Sequence, residues 1–125
     1  WSHVKSCVVR LGNVIGSRGS ILQRLREQHN ADEPLTLTDL EATRYMIHPQ
    51  DAAKFIIARA EACEGGEVFV PKMWVRTVAQ LADEIAPKEY PRKIIGLQPG
   101  EKKHEEVYSR HEKAVDMGDY WVIRG

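Results

Sequence analysis

The sequence predicts an α/β fold: a small, partly parallel sheet with flanking helices. Three observations carry this expectation. Short apolar, β-branched runs alternate along the chain with segments of helical spacing. Two of the helical segments open on capping signals, Ser20 with Gln23 and Thr77 with Gln80. Glycine and proline punctuate the joins, as at Gly65-Gly66 and Pro87. Strands that alternate with helices favour parallel pairing, because each helix carries the chain back across a sheet face.

The elements follow in order. Val4 to Leu11 reads as a strand, with Cys7-Val8-Val9 as its apolar run. Gly12, Gly16 and Gly19 break it. A helix then starts near Ser20, with Ile21, Leu22 and Leu25 as a narrow stripe, and ends near Asn30. Leu35 to Thr38 suits a short strand, and Thr43 to Ile47 is extended or irregular. Pro49 fits the first turn of a second helix. Ala52, Phe55, Ile56, Ala60 and Cys63 fall on one face of it. Glu64-Gly65-Gly66 ends that helix, and Glu67 to Val70 is the next strand. Val78, Leu81, Ala82 and Ile85 give a third helix its apolar face. Lys93 to Leu97 reads as a strand and Gln98-Pro99-Gly100 as a turn. A short polar helix is expected from Glu101 to about Ser109, and Tyr120 to Ile123 as a last, edge-type strand.

At 125 residues the chain has the size of one domain, with no linker or repeat dividing it. Lys plus Arg and Asp plus Glu are each 18, and the two halves are balanced as well. No basic field is present to attract nucleic acid or acidic lipid. No apolar run approaches the roughly 20 residues of a membrane-spanning helix. Cys7 and Cys63 are too few for a disulfide scaffold and read as small buried hydrophobes, which suits a reducing cytoplasm.

The segment from Arg10 to Ser20 is the most informative for function. A glycine-rich loop between strand and helix can aim backbone N–H groups at an anion, with Arg18 adding a charged fork. The same residues also make an ordinary turn with an exposed arginine. The spacing is G-x-x-x-G-x-x-G, neither a P-loop nor the dinucleotide fingerprint. Arg44 suits either a buried phosphate clamp or a structural ion pair with Asp39 or Glu41. Glu101 has the place of a first-turn acid favoured by a helix dipole. Histidines 3, 29, 48, 104 and 111 have no metal-ligand spacing, and no metal site is expected. His104 with Glu105 and Glu106 reads as a solvated face. Serines lack a hydrolase setting, and Trp1, Trp74 and Trp121 lack basic neighbours for base stacking.

Taken together, the stretches Val8–Ser20, Thr43-Arg44-Tyr45, Gly65–Met73, Lys93–Leu97 and Pro99-Gly100-Glu101-Lys102 with His104-Glu105 resemble one family. It is the polysaccharide-biosynthesis branch of the extended short-chain dehydrogenase/reductases, with UDP-N-acetylglucosamine 4,6-dehydratases (inverting type) and capsule-synthesis relatives as its members. The resemblance covers roughly residues 4–108. It implies the substrate-binding C-terminal portion of such an enzyme, since the glycine-rich NAD fingerprint and the Tyr-x-x-x-Lys pair are missing. Tyr90 has Lys93 only three residues on, and Tyr108 reaches Glu112.

The resemblance also implies roles. Asn13 approaches the sugar nucleotide, and Ser17 and Arg18 belong to the loop over it. Thr38 lies on the uridine side, Arg44 clamps the diphosphate, and Glu101 engages the ribose or a neighbouring arginine. Leu11 and Gly12 would lie beside the nicotinamide of NAD if a cofactor half were supplied. Gln98 replaces the arginine of the family's Arg-Pro-Gly-Glu motif, so one cationic partner is lost. Gln23 stands for a usual proline, and His48 for the threonine that usually caps the middle helix. The expected function is therefore a UDP-sugar-binding or interaction module without catalysis of its own. The alternative is one piece of a split NAD-dependent dehydratase. Loss of the cofactor half implies an open sheet edge, an apolar patch and a homo-oligomer.

Overall fold

A computed structural model describes residues 4–124, so Trp1 and His3 lie outside the described residues. In chain order the elements are β1 (Val8–Val9), β2 (Asn13–Val14), α1 (Ile21–Asn30), β3 (Leu35–Leu37), β4 (Thr43–Ile47) and α2 (Pro49–Ala62). They continue with β5 (Val68–Pro71), β6 (Trp74–Thr77), α3 (Val78–Ile85), β7 (Arg92–Ile94), β8 (Ala114–Asp116) and β9 (Tyr120–Ile123). The fold is α/β, with small, partly parallel sheets and flanking helices. The described residues form three sheets rather than one, ordered β1-β5-β9-β8, β2-β4-β6 and β3-β7. β1 with β5, β2 with β4 and β3 with β7 are parallel, and the other pairs are antiparallel.

The main core lies where α1 and α3 meet the strands. Leu22 and Leu25 of α1 pack with Val78, Leu81 and Ala82 of α3, and with Leu35, Leu37 and Met46 from the strands beneath. The capping signals explain why these helices start where they do. Thr77 Oγ1 accepts from Gln80 N at 3.1 Å while Gln80 Oε1 accepts from Thr77 N at 2.8 Å, a complete capping box. At α1 only half of the box forms. Ser20 Oγ accepts from Gln23 N, but the Gln23 amide turns to Glu27 instead. His48 makes no side-chain cap at α2, whose start relies on Pro49.

Several expectations are corrected. The strand expected over Val4–Leu11 shrinks to β1, and a second short strand, β2, follows after Gly12. No helix forms over Glu101–Ser109. The Lys103 carbonyl is instead taken by Thr43 N (2.8 Å) and Arg44 Nη1 (3.1 Å), so it is unavailable as an intrahelical acceptor. Tyr120–Ile123 is not an edge, because β8 covers its far side. The apolar face of α2 is only partly covered. Ala52 is buried, but Ile56 is exposed and Cys63 half-buried. Cys7 is half-buried as well. No helix of the described residues is long and apolar enough to cross a membrane.

Candidate functional site

The site is built on β4, the middle strand of its sheet. Alternation along a strand puts Arg44 and Met46 on one face, and both are buried. Arg44 keeps only 5% of its surface exposed, so its guanidinium must find partners inside the protein. Nη1 donates to Thr43 O (2.7 Å) and Lys103 O (3.1 Å), Nη2 donates to Glu101 Oε2 (3.4 Å), and Nε faces Glu105 Oε1 at 3.6 Å. The partners weighed from sequence spacing are not the ones used. Glu41 pairs with Lys103 at 3.0 Å, and Asp39 accepts from the Glu41 N–H. Glu101 also accepts from Gln98 N at 3.1 Å, which tightens the turn that presents it. His104 Nδ1 lies 2.7 Å from Thr43 Oγ1. His104 and Glu105 are thus tied to β4 and are not merely a solvated face.

The glycine-rich loop leads into the same strand. Asn13 lies opposite Met46, and its Nδ2 donates to Tyr45 O at 3.4 Å. Gly12 is required by close approach. A Cβ there would stand 2.6 Å from Tyr45 O and 2.7 Å from Tyr45 Cβ. Its N–H points at Met73 Sδ, 3.1 Å away. The expectation of free, outward amides is only partly met. Ile15 N, Ser17 N and Ser20 N donate to Ile47, Val14 and Ser17 carbonyls, so these groups are already engaged. Ser17 Oγ donates to Val14 O, and Arg18 is exposed. Thr38 is buried just beyond β3.

A cavity of about 250 Å³ opens beside this strand, lined by Leu11, Gly12, Tyr45, Met73, Glu105 and neighbouring residues. Leu11 and Gly12 therefore share a wall with Glu105, itself a partner of Arg44. Arg44 and Glu101 meet beside β4 and Asn13 touches the Tyr45 carbonyl of that strand, but none of Asn13, Ser17, Arg18, Thr38, Arg44 and Glu101 lines this cavity. A larger hollow of about 380 Å³, between α1, β6 and α3, is lined by none of the binding residues expected from sequence.

Arg10 and Glu112 were not legible as a pair, because 102 positions separate them. They form a two-pronged ion pair at 2.8 and 2.7 Å. The Arg10 hydrogen bond, helped by Ser109 N–H, holds the Glu112 carboxyl down at about 2. Among the described residues there is no cluster of His, Cys, Asp or Glu able to hold a metal ion.

The sequence profile of a family described as polysaccharide biosynthesis protein matches residues 2–124. The chain belongs to this polysaccharide biosynthesis family. Among its relatives is a UDP-N-acetylglucosamine 4,6-dehydratase (inverting) of Campylobacter jejuni. It is 39% identical over 119 residues, which is 93% of this chain and 35% of the relative. A UDP-glucose 4-epimerase of Rickettsia canadensis is 34% identical over 122 residues, 94% of this chain and 36% of the relative. The chain thus spans little more than a third of the length of these curated relatives.

Of the solved structures, that of Pen from Bacillus thuringiensis superposes with a TM-score of 0.85 at 31% identity. It covers 96% of this chain and 40% of that one. A Bacillus cereus UDP-glucuronic acid 4-epimerase, solved with UDP-glucuronic acid and NAD, superposes at 0.67 and 23% identity, and so supports the fold alone. In this member of the polysaccharide biosynthesis family the loop between β1 and α1 carries its glycines as G-x-x-x-G-x-x-G, and the cavity beside Leu11 and Gly12 measures about 250 Å³.

Proposed function

We propose that residues 1–125 form one domain, the C-terminal, nucleotide-sugar-binding portion of a UDP-sugar dehydratase or epimerase of polysaccharide biosynthesis. In this reading Arg44 binds the diphosphate, with Glu101 setting the angle of its guanidinium. Asn13, Ser17 and Arg18 line the approach of the sugar nucleotide, and Thr38 lies toward the uridine. The observation that carries the reading is a buried guanidinium faced by two solvent-exposed carboxylates, Glu101 and Glu105. The two carbonyl contacts hold Nη1, while the longer contacts of Nη2 and Nε to Glu101 and Glu105, at 3.4 and 3.6 Å, are the ones an incoming diphosphate would replace. The chain's own residues bind and orient. No residue here takes the role of the Tyr-x-x-x-Lys pair, so proton and hydride chemistry would fall to residues outside this chain.

The test is calorimetric titration with UDP-N-acetylglucosamine, with UDP as comparison, on the native chain and on Gln98→Arg. Gln98 is exposed and adjoins Glu101, so an arginine there supplies a second cation at little cost to folding. The expected gain is about tenfold to a hundredfold in affinity, the worth of one charged hydrogen bond. Absence of heat in both proteins up to millimolar ligand would overturn the reading. A second reading makes the chain one piece of a split, NAD-dependent dehydratase. It is favoured by the coverage of only 35–40% of its relatives. It predicts dehydration of UDP-N-acetylglucosamine only when a partner supplying NAD, tyrosine and lysine is added.

A further inference from the structure

The two cysteines of this chain stand far apart in sequence, and the fold brings them to one place. Cys7 precedes β1, one register step before the pairing of Val8 with Val68, so it lies beside Glu67. Gly66 N donates to Ser6 O (2.8 Å) and Val8 N donates to Glu67 O (2.9 Å), which fixes that alignment. Neighbours in register put their side chains on the same face of a sheet. Cys63, which ends α2, donates its thiol to Glu67 Oε1 at 3.7 Å, on that face. The Glu67 carboxylate is buried and anchored by Glu64 N (2.8 Å) and Gly65 N (2.6 Å), so it holds the turn that carries Cys63.

We propose that Cys7 and Cys63 form a reversible dithiol–disulfide couple that staples the end of α2 to the first strand. Both thiols are half-buried, which suits a small oxidant better than a protein partner. The oxidant is a small disulfide such as oxidised glutathione. One protein thiolate attacks it, forming a mixed disulfide and releasing one glutathione. The second protein thiolate then attacks the protein sulfur of that bond, the Cys7–Cys63 bond forms, and the second glutathione leaves. The protein loses two electrons and two protons, and the glutathione disulfide gains them.

Burial, and then the hydrogen bond with Cys7, push the Cys63 thiol above its usual range. That slows the exchange, but the position of equilibrium is set by how close the fold holds the two sulfurs. The ring closed between residues 7 and 63 is long, so the bond would constrain the unfolded chain strongly. It would also tie down the strand that leads into Gly12 and Asn13.

The test is equilibration of the native chain in glutathione buffers, followed by alkylation and peptide mass analysis. The expected product is an intramolecular Cys7–Cys63 peptide pair. Its formation should be favoured at least about tenfold over the same chain in urea, with a thermal midpoint raised by roughly 10 °C. Cys63→Ser should instead stop at a glutathione adduct on Cys7. A native chain that ends as glutathione adducts, forms disulfides only between chains, or oxidises no better folded than in urea would overturn the proposal.

Discussion

Arg44 and Gly12 make opposite demands on neighbouring positions, one needing room for a long side chain and the other needing none. At Gly12 the demand is steric, since an added Cβ would meet Tyr45 backbone and side chain at 2.6–2.9 Å. Gly12→Ala should therefore push the β1–β2 connection off β4 and cost about 1–3 kcal/mol, read from urea unfolding. At Glu112 the demand is electrostatic. Its carboxyl titrates near about 2 when folded, against an ordinary 4.5, because Arg10 and Ser109 N–H favour the charged form. The unfolded chain therefore binds a proton at higher pH than the folded one. Glu112 adds stability that is fully present above about pH 5 and lost as pH falls from there through about 2. The stability difference between the native chain and Glu112→Gln should be constant above pH 5 and shrink steadily below it, as measured by urea unfolding across that range. Arg10 and Glu112 are partly exposed, so salt should weaken the effect.

At the scale of elements, helices α1 and α3 are held by one shared core. Leu25 is fully buried between them, and Leu25→Ala should cost about 2–5 kcal/mol in urea unfolding. Thr77→Ala removes the acceptor of a complete capping box and should cost about 1 kcal/mol. Both helices were readable from their periodicity and caps, because those signals are local. β8 was not, because it is three residues long and mostly exposed, although it pairs with the adjacent β9; nor was β6, whose partner β4 lies on the far side of α2 and β5. The stretch after Gly100 misled for the same reason. Its polar sequence permits a helix, but Thr43 and Arg44 claim the Lys103 carbonyl. Of the candidate site, Arg44 and Glu101 stood out by residue type and by resemblance. Their mutual contact, and the part played by Glu105, came from a fold that brings positions 57 and 61 residues away onto one strand.

At the scale of the whole molecule, the β1-β5-β9-β8 sheet ends on an open strand. Val8 N and Arg10 N donate inward to Glu67 and Phe69 carbonyls, so the alternating groups of Val9 face the unpaired side. Val8 is 54% exposed, and on α2 Ile57 is 60% exposed. Unpaired strand edges and apolar surface of this kind favour association. The expected occupant is a second copy of the chain, in an interface on the order of 800 Å² per partner. Sedimentation velocity should show a dimer that Val8→Lys weakens. A clean monomer at high concentration would count against it.

The sequence by itself determined the class of fold, helices α1, α2 and α3 with the buried faces of α1 and α3, and the family to which the chain belongs. Each of these rests on information carried within a few turns of chain: periodicity, caps, glycine positions and short motifs in order. Only the tertiary structure decided that the described residues form three sheets, that Arg44 is tethered by Glu101 and Glu105, that Arg10 meets Glu112, and that Cys7 lies with Cys63. Those pairings join residues tens of positions apart. They depend on strand register and on which carbonyls remain free once the core has closed, and no local pattern encodes either.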